Sequence, residues 1–360
     1  MLRTLVALTL SAVSATATAE SVVNVYNWSD YITDEAKTSF TTATGTKVRY
    51  DVYDSNEVLA AKLLAGRSGY DVVFPSARPF AQRQVAAGIY LPLDKAKLPN
   101  WKHLYPDLLA GLKDVDPGNQ YLVPYMWGTT GIGLNVDKVR AALGKDAPLD
   151  SWALLFDPAN AAKLASCGIA VLDDETEGLG AAFLYLGKPI NAGGKADLDA
   201  AIALFAKVRP HIRYFHSSRY IEDLANGEIC LAVGYSGDVL QAQSRAEEAG
   251  KPVNIQYVIP KEGAIRWVDL AGIPKDAPNP DAAHAFINHL MEPKVIAGIS
   301  EFVGYANANQ SATPLLGELK DNPGIYPPAA VMARLADDTT PKQAEVRARV
   351  RAWTRIRTGK

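Results

Sequence analysis

Three short stretches set an aromatic ring beside a carboxylate at presumed strand ends and loops: Trp28-Ser29-Asp30-Tyr31, Tyr235-Ser236-Gly237-Asp238 and Trp267-Val268-Asp269. Carboxylates accept charge-assisted hydrogen bonds from an ammonium group, and ring faces attract a cation while covering methylenes. A cation with an aliphatic body needs both partners. A tryptophan taken singly is more often a core residue, so the weight lies on the three pairs together.

Signatures of catalysis are missing. The chain has no His-Glu-x-x-His, no phosphate loop and no dinucleotide fingerprint, and Gly234-Tyr235-Ser236-Gly237 lacks the fifth-position glycine of a nucleophile elbow. His103, His211, His216, His284 and His289 are scattered, and the last two, five apart, point to different helix faces. Zinc needs about four clustered ligands, and none surround Cys167 and Cys230. A glycosidase-like pair of acids leaves little local signature, yet a binding protein without cofactor or metal is the expectation rather than an enzyme.

These residues need a scaffold, and the chain supplies two. Residues 1–19 carry one cation at Arg3, an apolar run from Leu5 to Val13 and a small-residue ending Ala17-Thr18-Ala19, the pattern of a signal peptide cleaved after Ala19. The remainder suits two domains of ordinary size. Net charge is -2, which does not suggest nucleic acid. In an oxidising compartment a lone cysteine pair is expected to form a structural disulfide, Cys167 to Cys230.

Strand, helix, strand, helix, strand alternate from Val22 to Phe74. Thr33-Asp34 caps a first helix that stops at Gly45, and Asp54 with Glu57 forms a capping-box-like start to a second. This is an α/β pattern with a parallel sheet. It recurs as strand Gly131–Leu134, a helix near Trp152–Leu155, strand Gly168–Leu172, a helix over Asp197–Arg209 and strand Ile229–Gly234. At the C-terminus Val346, Val350, Trp353 and Ile356 lie at helical spacing among five arginines, which reads as a docked helix rather than a nucleic-acid arm.

Over essentially all of its mature length the sequence resembles the putrescine- and spermidine-binding proteins of bacterial polyamine importers, most closely the putrescine branch. The matching blocks are Tyr26–Ile32, Asp71–Ser76, Arg213–Ser218, Asp223–Gly227, Pro260–Gly263, Tyr305–Asn309 and Ala312–Leu315. The resemblance implies a type II periplasmic-binding-protein fold with a cleft between two α/β lobes, residues 20–128 with 264–312 and residues 129–263 with 313–360. It implies a monomer that hands its ligand to a membrane permease. Carried over position by position, Trp28, Ser29, Asp30, Ser76, Glu177, Asp238, Trp267, Asp269 and Tyr305 fall on pocket positions, with Asp269 and Ser29 holding one amine and Asp238 the other. The cysteine pair of the putrescine branch falls on Cys167 and Cys230.

Several positions depart from the putrescine pattern. Tyr235 stands where tryptophan is common, Trp267 follows the spermidine type, and Asp174 with Glu177 matches the acidic pair of spermidine binders, while Arg78 and Asp338 match neither. An added acid favours a third ammonium and Arg78 opposes it; Arg78 and Asp338 pairing across the cleft would plug the end where a longer amine extends. Arg78 could instead hold a carboxylate, making the ligand a basic amino acid or a guanidino compound. A receptor partner that reports polyamines to a membrane sensor is the other alternative.

Overall fold

The computed structural model describes residues 21–359, so the signal peptide expected over residues 1–19 lies outside the described residues. Eleven strands form one hydrogen-bonded sheet: β1 (Val22–Trp28), β2 (Lys47–Tyr53), β3 (Val72–Val73), β4 (Leu122–Asn135), β5 (Ile169–Val171), β6 (Tyr214–Phe215), β7 (Leu231–Tyr235), β8 (Ile255–Val258), β9 (Ala264–Gly272), β10 (Ala306–Asn307) and β11 (Leu335–Asp337). Their main order is β2-β1-β3-β9-β4-β7-β5-β6, with β8 and β10 on β4 and β11 on β9.

The parallel pattern holds within each half, β2-β1-β3 and β7-β5-β6. Between them β4 and β9 run antiparallel, so the sheet is mixed. The expected strand Gly131–Leu134 lies in the second half of β4, whose glycines make room for neighbours. A Cβ on Gly128 would lie 2.7 Å from the Trp267 ring, and one on Gly131 would lie 2.6 Å from the Tyr257 hydroxyl.

Two main cores flank this ladder. Val23, Val25, Phe40, Phe74, Phe286 and Ile299 fill one; Leu134, Phe156, Leu179, Phe205 and Val233 fill the other. Leu316 is buried in the first core with Leu319 and Tyr326 packed against it, so that core takes in chain beyond residue 312.

Local chemistry explains the helix ends. Thr33 accepts from the Ala36 N–H at 3.0 Å, and Gly45 closes that helix in the left-handed conformation at φ 71°. The next helix, Asn56–Leu64, is capped by Ser55 and not by Asp54, its hydroxyl accepting from Val58 N–H. The C-terminal helix Gln343–Thr358 buries Ala352, Trp353 and Ile356 in the second core, but Val350 is 50% exposed and Arg349 only 2% exposed. A buried cation thus takes a place that pattern reading gives to an apolar residue. Cys167 and Cys230 are joined as a disulfide. No described helix is long and apolar enough to cross a membrane.

Candidate functional site

Convergent polar and aromatic groups line a cleft between the lobes, with an empty volume of about 820 Å³ including its open mouth. Period-two alternation puts Trp267 and Asp269 of β9 on the same face, looking into it. Tyr31 OH donates to Asp269 Oδ2 at 3.0 Å and Ser76 Oγ donates to Oδ1 at 2.7 Å. Ser76 is itself set by Asn56, whose side chain both donates to its Oγ and accepts from its N–H at 3.0 Å.

The second lobe brings Asp238, in the first turn of the helix Ser236–Glu248. Its carboxylate accepts from Tyr220 OH at 2.7 Å and from Tyr305 OH at 2.6 Å. Tyr235–Trp267, Trp267–Tyr305 and Tyr305–Tyr31 meet edge to face with centroids 5.3–5.6 Å apart, forming a continuous aromatic wall whose Tyr305 and Tyr31 hydroxyls bond Asp238 and Asp269. Trp267 Nε1–H in that wall has no hydrogen-bond partner.

A second acidic group, Asp174, Glu177 and Asp338, borders the same cleft. Asp174 caps the helix Glu175–Tyr185, accepting from Glu177 N–H at 3.1 Å, and buried Glu177 leaves Oε2 without a partner. Asp338 follows β11, its N–H donating to the Arg266 carbonyl and its Oδ1 accepting from Thr339 N–H, both at 2.9 Å.

Burial governs the charges. It raises Asp269 and Asp174 to about 7 and Asp238 to about 6, the last eased by its two tyrosine hydroxyls. Glu177 and Asp338 are raised well above the ordinary range by burial and then by Asp174. The cleft is therefore built to hold more negative charge than it can comfortably carry empty. A bound cation would relieve it.

All thirteen residues singled out from sequence, Trp28, Ser29, Asp30, Ser76, Arg78, Asp174, Glu177, Tyr235, Asp238, Trp267, Asp269, Tyr305 and Asp338, border this one cleft. Asp269 takes its hydroxyl bonds from Ser76 and Tyr31, and Ser29 lies exposed on the lining of the same cleft. One expected pairing is not formed. Arg78 does not pair with Asp338: its Nε donates to Asp114 Oδ2 at 2.9 Å and Nη2 to the Gly111 carbonyl at 2.9 Å, within the first lobe. Asp30, at φ 54°, meets Arg245 of the opposite lobe at 3.2 Å, and Arg245 also pairs with Glu222. Sequence reasoning passed over Tyr220 and Asn56 as site residues. Tyr31 was visible only as the last letter of its aromatic-acid stretch. Among the described residues no group of three or more His, Cys, Asp or Glu could hold a metal ion.

Two α/β lobes around an acidic, aromatic cleft define a type II periplasmic solute-binding protein, a carrier and not an enzyme. The bacterial extracellular solute-binding protein family matches residues 35–327, and the chain belongs to it. It is 53% identical to the putrescine-binding periplasmic protein SpuD of Pseudomonas aeruginosa, over 99% of this chain and 98% of that one. It is 51% identical to the putrescine-binding periplasmic protein PotF of Escherichia coli, over 98% and 96%. Among solved structures, the spermidine/putrescine transporter substrate-binding protein PotD of Streptococcus pneumoniae superposes with a TM-score of 0.77 at 28% identity, over 94% and 99%.

Proposed function

We propose that this chain is the periplasmic polyamine-binding component of an ABC importer, enclosing a linear di- or triamine and presenting it to a membrane permease. The observation that carries this reading is the pair of carboxylates, buried Asp269 and half-buried Asp238, each bonded to a ring of the Tyr235–Trp267–Tyr305–Tyr31 wall. The side-chain hydrogen-bond partners of both acids are neutral hydroxyls, so each is set to receive an ammonium, while the rings cover the methylenes. Asp174, Glu177 and Asp338 provide for a further cationic group. Similarity to the putrescine-binding relatives supports the same ligand class.

A ligand carboxylate would need a free cation, and the guanidinium of Arg78 is already taken up by Asp114. An amino-acid ligand is disfavoured on that ground. A thermal-shift panel of putrescine, cadaverine, agmatine, spermidine, spermine, arginine and lysine tests the reading. Ligand at about one hundred times its Kd adds roughly 2.7 kcal/mol to stability. Stabilisation by the diamines and spermidine is expected; a response to arginine or lysine alone would sink the polyamine assignment. Intact mass of exported protein beginning at Glu20 checks the cleavage site.

A further inference from the structure

Positions 173–177 carry four acids, Asp173, Asp174, Glu175 and Glu177, and the C-terminal helix sorts them. Arg357 Nη1 donates to Asp173 Oδ2 at 2.6 Å, and Trp353 Nε1 donates to Oδ1 at 3.3 Å. Arg349 Nε donates to Glu175 Oε1 at 2.6 Å, and its Nη1 donates to the Ala192 carbonyl at 3.2 Å. Asp174 and Glu177, the two acids left over, border the cleft.

The contact is close. A Cβ on Gly178 would run into the Trp353 ring, so the first turn of the helix Glu175–Tyr185 rests directly on the C-terminal helix. That helix lines no part of the cleft, and it lies beyond the residues 35–327 that match the family.

We propose that Arg349 is a positioning residue of the ligand site: by holding Glu175 it fixes the turn that stands Asp174 and Glu177 in the cleft. With Arg357 it also withdraws two of the four acids from the ligand's field. The C-terminal helix thereby sets how much cationic charge this end of the cleft accepts. The inference rests on the polyamine reading above.

The physical argument has two parts. A buried guanidinium is stable only when paired, and its planar fork fixes the orientation of both groups it bonds, here the helix turn and the Ala192 carbonyl. Asp174 and Glu177 already face Glu57, Asp338 and Asp269, with Arg78 the opposing charge on the lining. Freeing Glu175 would strengthen the repulsion it already exerts on Asp174, and loss of the Arg349 charge would remove one that eases Asp338.

Calorimetry with putrescine and spermidine at several pH values tests the proposal. Arg349→Gln is expected to weaken binding about tenfold at neutral pH, spermidine more than putrescine, as expected when second-layer support of a site is removed. The pH at which half the affinity is lost should move upward. Arg349→Lys should recover part of both effects, and Arg357→Gln, whose pair is partly exposed, should act in the same direction more weakly. Because an unpaired Glu175 can unfold the single variant, Arg349→Gln/Glu175→Gln serves as a second test: it should lose affinity and spermidine preference with a smaller shift in pH, the part that remains coming from Asp338, which Arg349 eases directly. Folded variants that keep wild-type affinities, preference and pH response while melting lower would overturn the proposal, leaving the helix a scaffold only. A wild-type protein that binds neither amine would overturn the polyamine reading and the proposal together.

Discussion

Arg78 and Asp114 form a forked ion pair inside the first lobe, so Arg78 makes no ion pair with Asp338 and eases that carboxyl only from a distance. Asp338 stays grouped with Asp174 and Glu177, and the plug that would restrict the cleft to a diamine is not formed. Spermidine is expected to bind within about a hundredfold of putrescine, a gap of less than roughly 2.8 kcal/mol. Competition binding measures this directly; a wider gap would show that a third ammonium is refused.

Removing either acid of the aromatic wall should be severe. Asp269→Ala strands the hydroxyls of Tyr31 and Ser76, and Asp238→Ala those of Tyr220 and Tyr305. Losing one partner of a desolvated charge pair costs roughly 2–5 kcal/mol, a loss of about thirtyfold or more in affinity. Near-native binding by either variant in a calorimeter would mean that the ligand lies elsewhere.

Binding should depend on pH with a definite sign. The ligand's ammonium groups stay charged through the neutral range, whereas Asp269 and Asp174 take up protons near 7 and Asp238 near 6. A protonated acid cannot pair with an ammonium, so affinity should climb with pH through neutrality and level off only about one pH unit above 7. A titration showing equal affinity at pH 5 and pH 8 would contradict these assignments.

The empty protein should respond in the opposite way. The Asp269 carboxyl is raised from 3.8 to about 7 by burial, so between those values the folded state holds more protons than the unfolded chain. Stability therefore declines as pH rises across that window and stays reduced above it. Asp269→Asn removes the penalty while offering Ser76 and Tyr31 an acceptor. The ligand-free variant should melt higher than wild type at pH 7.5, with the difference closing near pH 4. A lower melting point at pH 7.5 would show that the ionised carboxylate is a net stabiliser.

The Cys167–Cys230 bridge spans a sequence separation of 63 within the second lobe. Loop closure of that size corresponds to about 4 kcal/mol. Reduction, or Cys167→Ser/Cys230→Ser, should lower the denaturant midpoint without altering the cleft residues. Two alkylatable thiols in exported protein would show that the bond does not form there.

The site was largely readable because its parts are local in sequence. Trp267 and Asp269 need only the two-residue period of a strand to share a face, and Asp238 stands three residues beyond Tyr235 at a strand-to-helix junction. The partners were not local. Tyr31 reaches Asp269 across 238 positions, and the choice of Asp114 over Asp338 for Arg78 depends on which acid the fold brings near. The helix phase around Val350 was misread for another reason: a periodic pattern assigns buried positions to apolar side chains, and Arg349 is buried because Glu175 and Ala192 meet it there.

The long ladder of β4 and β9 also bears on the order in which the molecule can be made. Val73 of β3 pairs with Gly272 of β9, so the first lobe cannot complete its sheet until the chain has been synthesised to residue 272. The second lobe takes most of its core from the uninterrupted run between Ile132 and Val258, needing only the C-terminal helix in addition. During export the β3 edge therefore stays open while most of the other lobe's core is made, and that second core is sealed last, when the C-terminal helix Gln343–Thr358 has followed.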